Sequence, residues 1–210
     1  MEKNVAVSIG IIATCCGLLV SATVTPAGAQ GRNVIAQFSQ EQQQQLAEWI
    51  TRAEQGDVGS QFLLGLLLES WQASATTDET REWLAVEAAD WFRRAAEQGY
   101  RGAQERLGAA YFAGRGVTQD FTEAVQWFRQ AAEQGHAQAQ LVLGSIYRAG
   151  RGAPQDYSEA MLWYRRAAEQ NNADAQEQLG QMYLNGEGIP QDYVSAHMWF
   201  NLAASRVNRG

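Results

Sequence analysis

Groups able to do acid–base, nucleophilic or metal chemistry are scarce in this chain of 210 residues, which holds two histidines and two cysteines. His136 follows a glycine and His197 lies inside an apolar-periodic run, and neither has an evident companion. A metal site or a nucleophile–base pair needs convergent groups, so the sequence assigns no catalytic residue, no metal ligand and no cofactor. Asp120, Asp156 and Asp192 recur as carboxylates, but each opens an apolar-periodic run where an N-cap belongs. Gly-x-Gly recurs at Gly114, Gly150 and Gly186. A lone glycine pair after a helix is a turn and not a dinucleotide fingerprint.

Arginine is the chemistry that remains. Arg93, Arg129 and Arg165 form one column at a spacing of 36, continued by Asn201, with Arg94 and Arg166 beside it. Arginine forks take carboxylates bidentately, which suits an acidic peptide or a partner's C-terminus. An alternative stays open: Glu97, Glu133 and Glu169 sit four residues after these arginines. Intrahelical pairing in that order is worth only a few tenths of a kcal/mol, roughly. Trp71 and Trp83 are extra aromatics in the least regular stretch. They serve either as partner contacts, a role in which tryptophan is enriched, or as a cover over an imperfect first repeat.

Composition narrows the partner. The charge balance is −7 and the pI about 4.9, the wrong sign for wrapping nucleic acid or adhering to an anionic bilayer. Lys3 is the single lysine. Residues 1–29 read as a secretory signal: a weakly positive start, an apolar run over residues 5–24, Pro26, then Ala27-Gly28-Ala29. Cleavage there starts the mature chain at Gln30 and removes Cys15 and Cys16, leaving no disulfide or thiol. The expected location is the periplasm or outside the cell, with no membrane contact after cleavage. The alternatives are an uncleaved inner-membrane anchor formed by residues 5–24 and a lipidated Cys15.

The elements that would carry the arginines are repeats. Trp91, Trp127, Trp163 and Trp199 recur every 36 residues, each followed by an aromatic. Ala-Ala-Glu-Gln recurs at Ala95, Ala131 and Ala167, and Leu-Gly at Leu107, Leu143 and Leu179 with Tyr111, Tyr147 and Tyr183 four positions on. A degraded copy precedes them (Trp49, Ala53-Glu54-Gln55-Gly56, Leu64-Gly65), with seven residues inserted after Gly65. Each unit reads as a helix pair. In the third, Asp120 caps a first helix whose Phe121, Ala124, Trp127, Phe128 and Ala131 form one stripe, and Gly135 ends it.

A second helix starts near Ala137 with Ala139, Leu143, Ile146 and Tyr147 inward. Gly65, Gly108, Gly144 and Gly180 sit mid-helix, where glycine costs about 1 kcal/mol, implying close approach of the partner helix. The column Ala89, Val125, Met161 and His197 reads as packing. The insertion is either an extension of the following helix, capped by Thr76 or Thr77, or a surface loop.

Pairs this small must stack, so the fold class is all-α, an α/α-solenoid. The boundaries are a signal at 1–29, a short extension at 30–40, and repeats at 41–76, 84–119, 120–155 and 156–191. A capping helix at 192–205 and a polar tail at 206–210 follow.

These motifs resemble the Sel1-like repeat, a relative of the tetratricopeptide repeat. The resemblance rests on the Trp-aromatic pair, Ala-Ala-Glu-Gln-Gly, Leu-Gly-x-x-Tyr, Gly-x-Gly and the closing AHMWFNLAAS, over residues 40–205. The first copy departs from it in lacking Gly-x-Gly, and Asn171 stands where a turn glycine is usual, which asparagine tolerates. The resemblance implies a monomeric, non-catalytic scaffold that binds a protein or peptide, with the first helices and their arginines on a concave face. The rival reading, from another class, is a modulator of a cell-wall enzyme acting on peptidoglycan or polysaccharide, or less readily such an enzyme itself. The β-lactamase activity described for cysteine-rich members does not carry over to a mature chain without cysteine.

Overall fold

The computed structural model describes residues 40–207, all of whose regular elements are α-helices. They are α1 (Gln40–Glu54), α2 (Val58–Ser74), α3 (Asp78–Glu97), α4 (Arg101–Ala113) and α5 (Phe121–Glu133). The others are α6 (Ala137–Ala149), α7 (Tyr157–Glu169), α8 (Ala173–Asn185) and α9 (Tyr193–Val207). The expected signal, the cysteines and residues 30–39 lie outside the described residues. The closing helix was expected to end at 205; it continues through Arg206 and Val207.

The caps are the ones the residues call for. Asp120 Oδ1 accepts from the N–H groups of Thr122 and Glu123 at 2.9 and 3.1 Å, and Asp156 and Asp192 repeat this geometry. Gly114, Gly150 and Gly186 close their helices with φ of 67°, 70° and 70°. Asn171 takes the turn position at φ 69°, the left-handed region that asparagine enters most readily after glycine.

The helices divide into two compact units. One holds α1–α3 with the segment Arg115–Val117; the other holds α4–α9. Within each, a second helix packs more extensively on the first helix of the following copy than on its own partner: α2 on α3, α6 on α7 and α8 on α9. The mid-helix glycines cause this, in a way the sequence reading misplaced. It is a ring from the first helix of the next copy, and not the partner helix of the same pair, that fills each space. A Cβ on Gly144 would meet the Tyr164 ring at 2.6 Å, one on Gly180 the Phe200 ring at 2.7 Å, and one on Gly108 the Phe128 ring at 3.0 Å. In the first unit Phe92 stands over Gly65 in the same manner.

A buried glutamine series ties the copies together. Gln140 Nε2 donates to the Ala132 carbonyl at 2.9 Å and its Oε1 accepts from Gln170 Nε2 at 2.7 Å. Gln61 is held likewise by Ala53 and Gln98, and Gln176 donates to Ala168. These contacts satisfy groups that burial would otherwise penalise; the exception is Gln176 Oε1, buried with no hydrogen-bond partner among the described residues.

The insertion is helix, not loop. α2 has 17 residues and α3 has 20, against 13 in α4 to α8. Thr77 caps α3 by accepting from Thr80 N–H at 3.2 Å. Trp71 and Trp83 lie half-buried on α2 and α3, which pack together.

Candidate interaction surface

The arginine column is set by the first helices, whose Ala-Ala stripe is buried: Ala95, Ala131 and Ala167 are fully enclosed. Arg129 and Arg165 are therefore turned outward and are exposed. Each guanidinium is met by the tyrosine of the next helix. Arg129 Nη2 donates to Tyr147 Oη, with its Cζ 5.9 Å from the ring centroid. Arg165 Nη2 donates to Tyr183 Oη at 3.2 Å. The same tyrosines anchor the linkers: the Tyr147 and Tyr183 carbonyls accept from the N–H groups of Asp156 and Asp192 at 2.9 and 3.0 Å. A hydroxyl is neutral, so each guanidinium keeps its full charge. Neither Arg129 nor Arg165 forms an ion pair with Glu133 or Glu169 among the described residues.

The first unit treats its arginines differently. Asp90 lies 2.8 Å from Arg94 Nη2 and 3.8 Å from Arg93 Nη1. The residues at that position in the later copies are Gln126, Leu162 and Met198, so this neutralisation belongs to one copy. Arg94 and Arg166 lie over the buried Trp91 and Trp163 rings at 4.5 and 4.6 Å. Asn201 faces His197 Nδ1 at 3.0 Å. His197 is exposed, while Ala89 and Val125 of the same column are buried and Met161 packs half-buried against the core; the packing reading holds for those three and fails at the histidine.

His136 caps α6, its Nδ1 accepting from Ala139 N–H at 3.3 Å. Burial holds its pKa below the ordinary imidazole value, with Arg101 and Arg106 adding to the effect. One feature escaped the sequence reading. Arg148 clamps Glu187 through two bonds of 2.6 and 2.9 Å and reaches Gln178 Oε1 at 2.7 Å. The Arg148 bonds hold the Glu187 carboxyl below its usual range. The pair is 39 residues apart, so no intrahelical spacing announces it. Among the described residues no cluster of His, Cys, Asp or Glu is arranged to hold a metal, and no helix is long and apolar enough to cross a membrane.

The Sel1 repeat family model matches residues 85–100, 102–136, 137–172 and 173–208, more than half of the chain. The α1–α2 pair falls outside these matches. The fold is similar to the crystal structure of c5321, a protective antigen of uropathogenic Escherichia coli strains displaying an SLR fold. There the TM-score is 0.69 and the identity 40%, over 77% of this chain and 33% of that one. A Sel1 repeat protein of Oxalobacter formigenes gives a TM-score of 0.67 and 34% identity over 78% of this chain and 64% of its own. The chain thus spans about a third and just under two thirds of these two proteins. No curated protein matches it. With its helix pairs, glycine-seated rings and repeat matches, the chain belongs to the Sel1 repeat family, whose all-α solenoids are generally scaffolds for protein interaction.

Proposed function

We propose that this protein is an exported adaptor that receives an acidic segment of a partner protein on the arginines of α5 and α7. The observation that carries the reading is the pairing of exposed Arg129 and Arg165 with the Tyr147 and Tyr183 hydroxyls. The tyrosines fix each fork in place without neutralising it. A pre-positioned guanidinium loses less freedom when it captures a carboxylate. Export is supported by the apolar run over residues 5–24 followed by Ala27-Gly28-Ala29.

The test is an affinity capture from envelope extract with the wild-type chain beside a variant carrying Arg129→Glu and Arg165→Glu, after matching their helicity. The captured partner is expected to be lost from the variant, with binding that weakens as salt rises. Equal capture by both overturns the assignment. N-terminal sequencing of the exported form, expected to begin at Gln30, tests the signal.

A further inference from the structure

The repeats supply their own control for every surface position. The outer face of α6 departs from both neighbours. Leu141 and Val142 stand where α4 carries Glu105 and Arg106 and where α8 carries Glu177 and Gln178. α2 carries Phe62 and Leu63 at the same register, and Leu141 is itself 9% exposed and part of the core, but α4 and α8 show that the fold can do without apolar residues at these positions. α6 also lacks any acidic residue, in a chain with 23.

This face floors a cavity of about 560 Å³ within the α4–α9 unit. Leu141, Val142, Ile146 and Phe112 supply its apolar lining. Ser145 and Gln178 add polar groups, both already oriented: Ser145 Oγ accepts from Tyr164 at 3.0 Å and Gln178 Oε1 from Arg148. Two opposite charges complete the wall, Arg151 and Asp174, both exposed. Arg151 lies 5.7 Å from the centroids of both Phe112 and Phe121, whose rings meet edge to face. Neither Arg151 nor Asp174 joins an ion pair among the described residues. The cation is thus held over aromatic faces, and the anion stands free in the same wall. Of the two charges Asp174 is peculiar to this place, whereas the preceding copy carries Arg115 where this one has Arg151. Glu187 occupies the Arg151 position in the next copy, and Gln138 the Asp174 position in the preceding one.

We propose that this cavity binds a short peptide with apolar side chains and both termini charged. Its carboxylate meets Arg151, its ammonium meets Asp174, and its side chains lie on Leu141 and Val142. The volume falls in the range of small-ligand sites, and a tripeptide is of that order. The surface is separate from the arginines of α5 and α7 and does not depend on their role.

The test is an amide-shift titration of the isotopically labelled full chain with the free tripeptide Leu-Ala-Leu, beside its N-acetyl and C-amide forms. Saturable shifts are expected at Leu141, Val142, Ser145 and Gln178, with each capped peptide binding about tenfold more weakly, as loss of a charge-assisted bond implies. The variants borrow residues from the sister repeats; Leu141 is 9% exposed, so Val142→Arg at its more open position is read beside Leu141→Glu. Leu141→Glu and Val142→Arg should abolish binding. Arg151→Glu should no longer favour the free carboxylate over the amide, and Asp174→Gln should no longer favour the free amine. Melting curves show whether each variant is folded. No shifts at millimolar peptide, shifts confined to Arg129 and Arg165, equal binding of the capped forms, or unchanged binding by the folded Leu141→Glu variant each overturn the proposal.

Discussion

The Tyr164 ring lies against Gly144 so closely that a Cβ built there would stand 2.6 Å from Cδ1. Tyr164 is 1% exposed, and its hydroxyl donates to Ser145 Oγ at 3.0 Å. The ring therefore has no room to withdraw, and the copies approach as closely as the bare backbone permits.

Gly144→Ala gains about 1 kcal/mol in helix propensity but overpacks a filled site, which costs about 1–3 kcal/mol. We expect net destabilisation in urea unfolding followed by circular dichroism. Combining it with Tyr164→Leu should recover part of the loss. Additive effects of the two changes would show that the ring is not the obstacle.

Gln140 is 4% exposed and bonded on both sides, to Ala132 and to Gln170. Replacing it by alanine strands a buried carbonyl, so a loss of about 1–3 kcal/mol is expected. Gln170→Ala, which removes a donor from a more exposed position, should cost less. An equal or reversed order in chemical denaturation would contradict the buried series.

His136 makes stability depend on pH. Its folded pKa lies below the value near 6.5 of an unfolded histidine, because burial and then Arg101 and Arg106 disfavour the imidazolium. The unfolded chain therefore takes the proton first. Stability is full above about pH 6.5 and falls as pH drops from there through the folded pKa. His136→Asn borrows the cap of Asn172, which accepts from Ala175 N–H at 2.9 Å. It should remove this slope while keeping α6, as melting temperatures between pH 5 and 8 would show.

Glu187 acts at lower pH. Its folded pKa is depressed, chiefly by the Arg148 bonds. Its contribution is present above the unfolded carboxyl value, about 4.3, and is lost as pH falls through the folded one. Both side chains keep some exposure, 25% for Arg148 and 19% for Glu187, so the pair is worth no more than about 1 kcal/mol. Glu187→Gln should flatten the acid limb of a stability profile and leave the limb near pH 6 unchanged.

The repeat length, the helix pairs, the caps at Asp120, Asp156 and Asp192, and the turn at Asn171 were all legible in the sequence. Each depends on residues within one or two turns of each other, and periodicity reports such local requirements directly. The arginine column was legible for the same reason, since a fixed spacing of 36 on like helices repeats one outward position.

The tertiary structure alone decided what those positions meet. Arg129 and Tyr147 are 18 residues apart on different helices, and Glu133, closer in sequence, is not its partner. Gly144 and Tyr164, Arg148 and Glu187, and the wall formed by Arg151 and Asp174 likewise join separate helices or linkers. Their pairing follows from the stacking of one copy on the next, which depends on how side-chain volumes fit across the interface. The sequence determined which faces are apolar and where the chain turns; only packing determined which ring fills which gap and which charges are left unpaired.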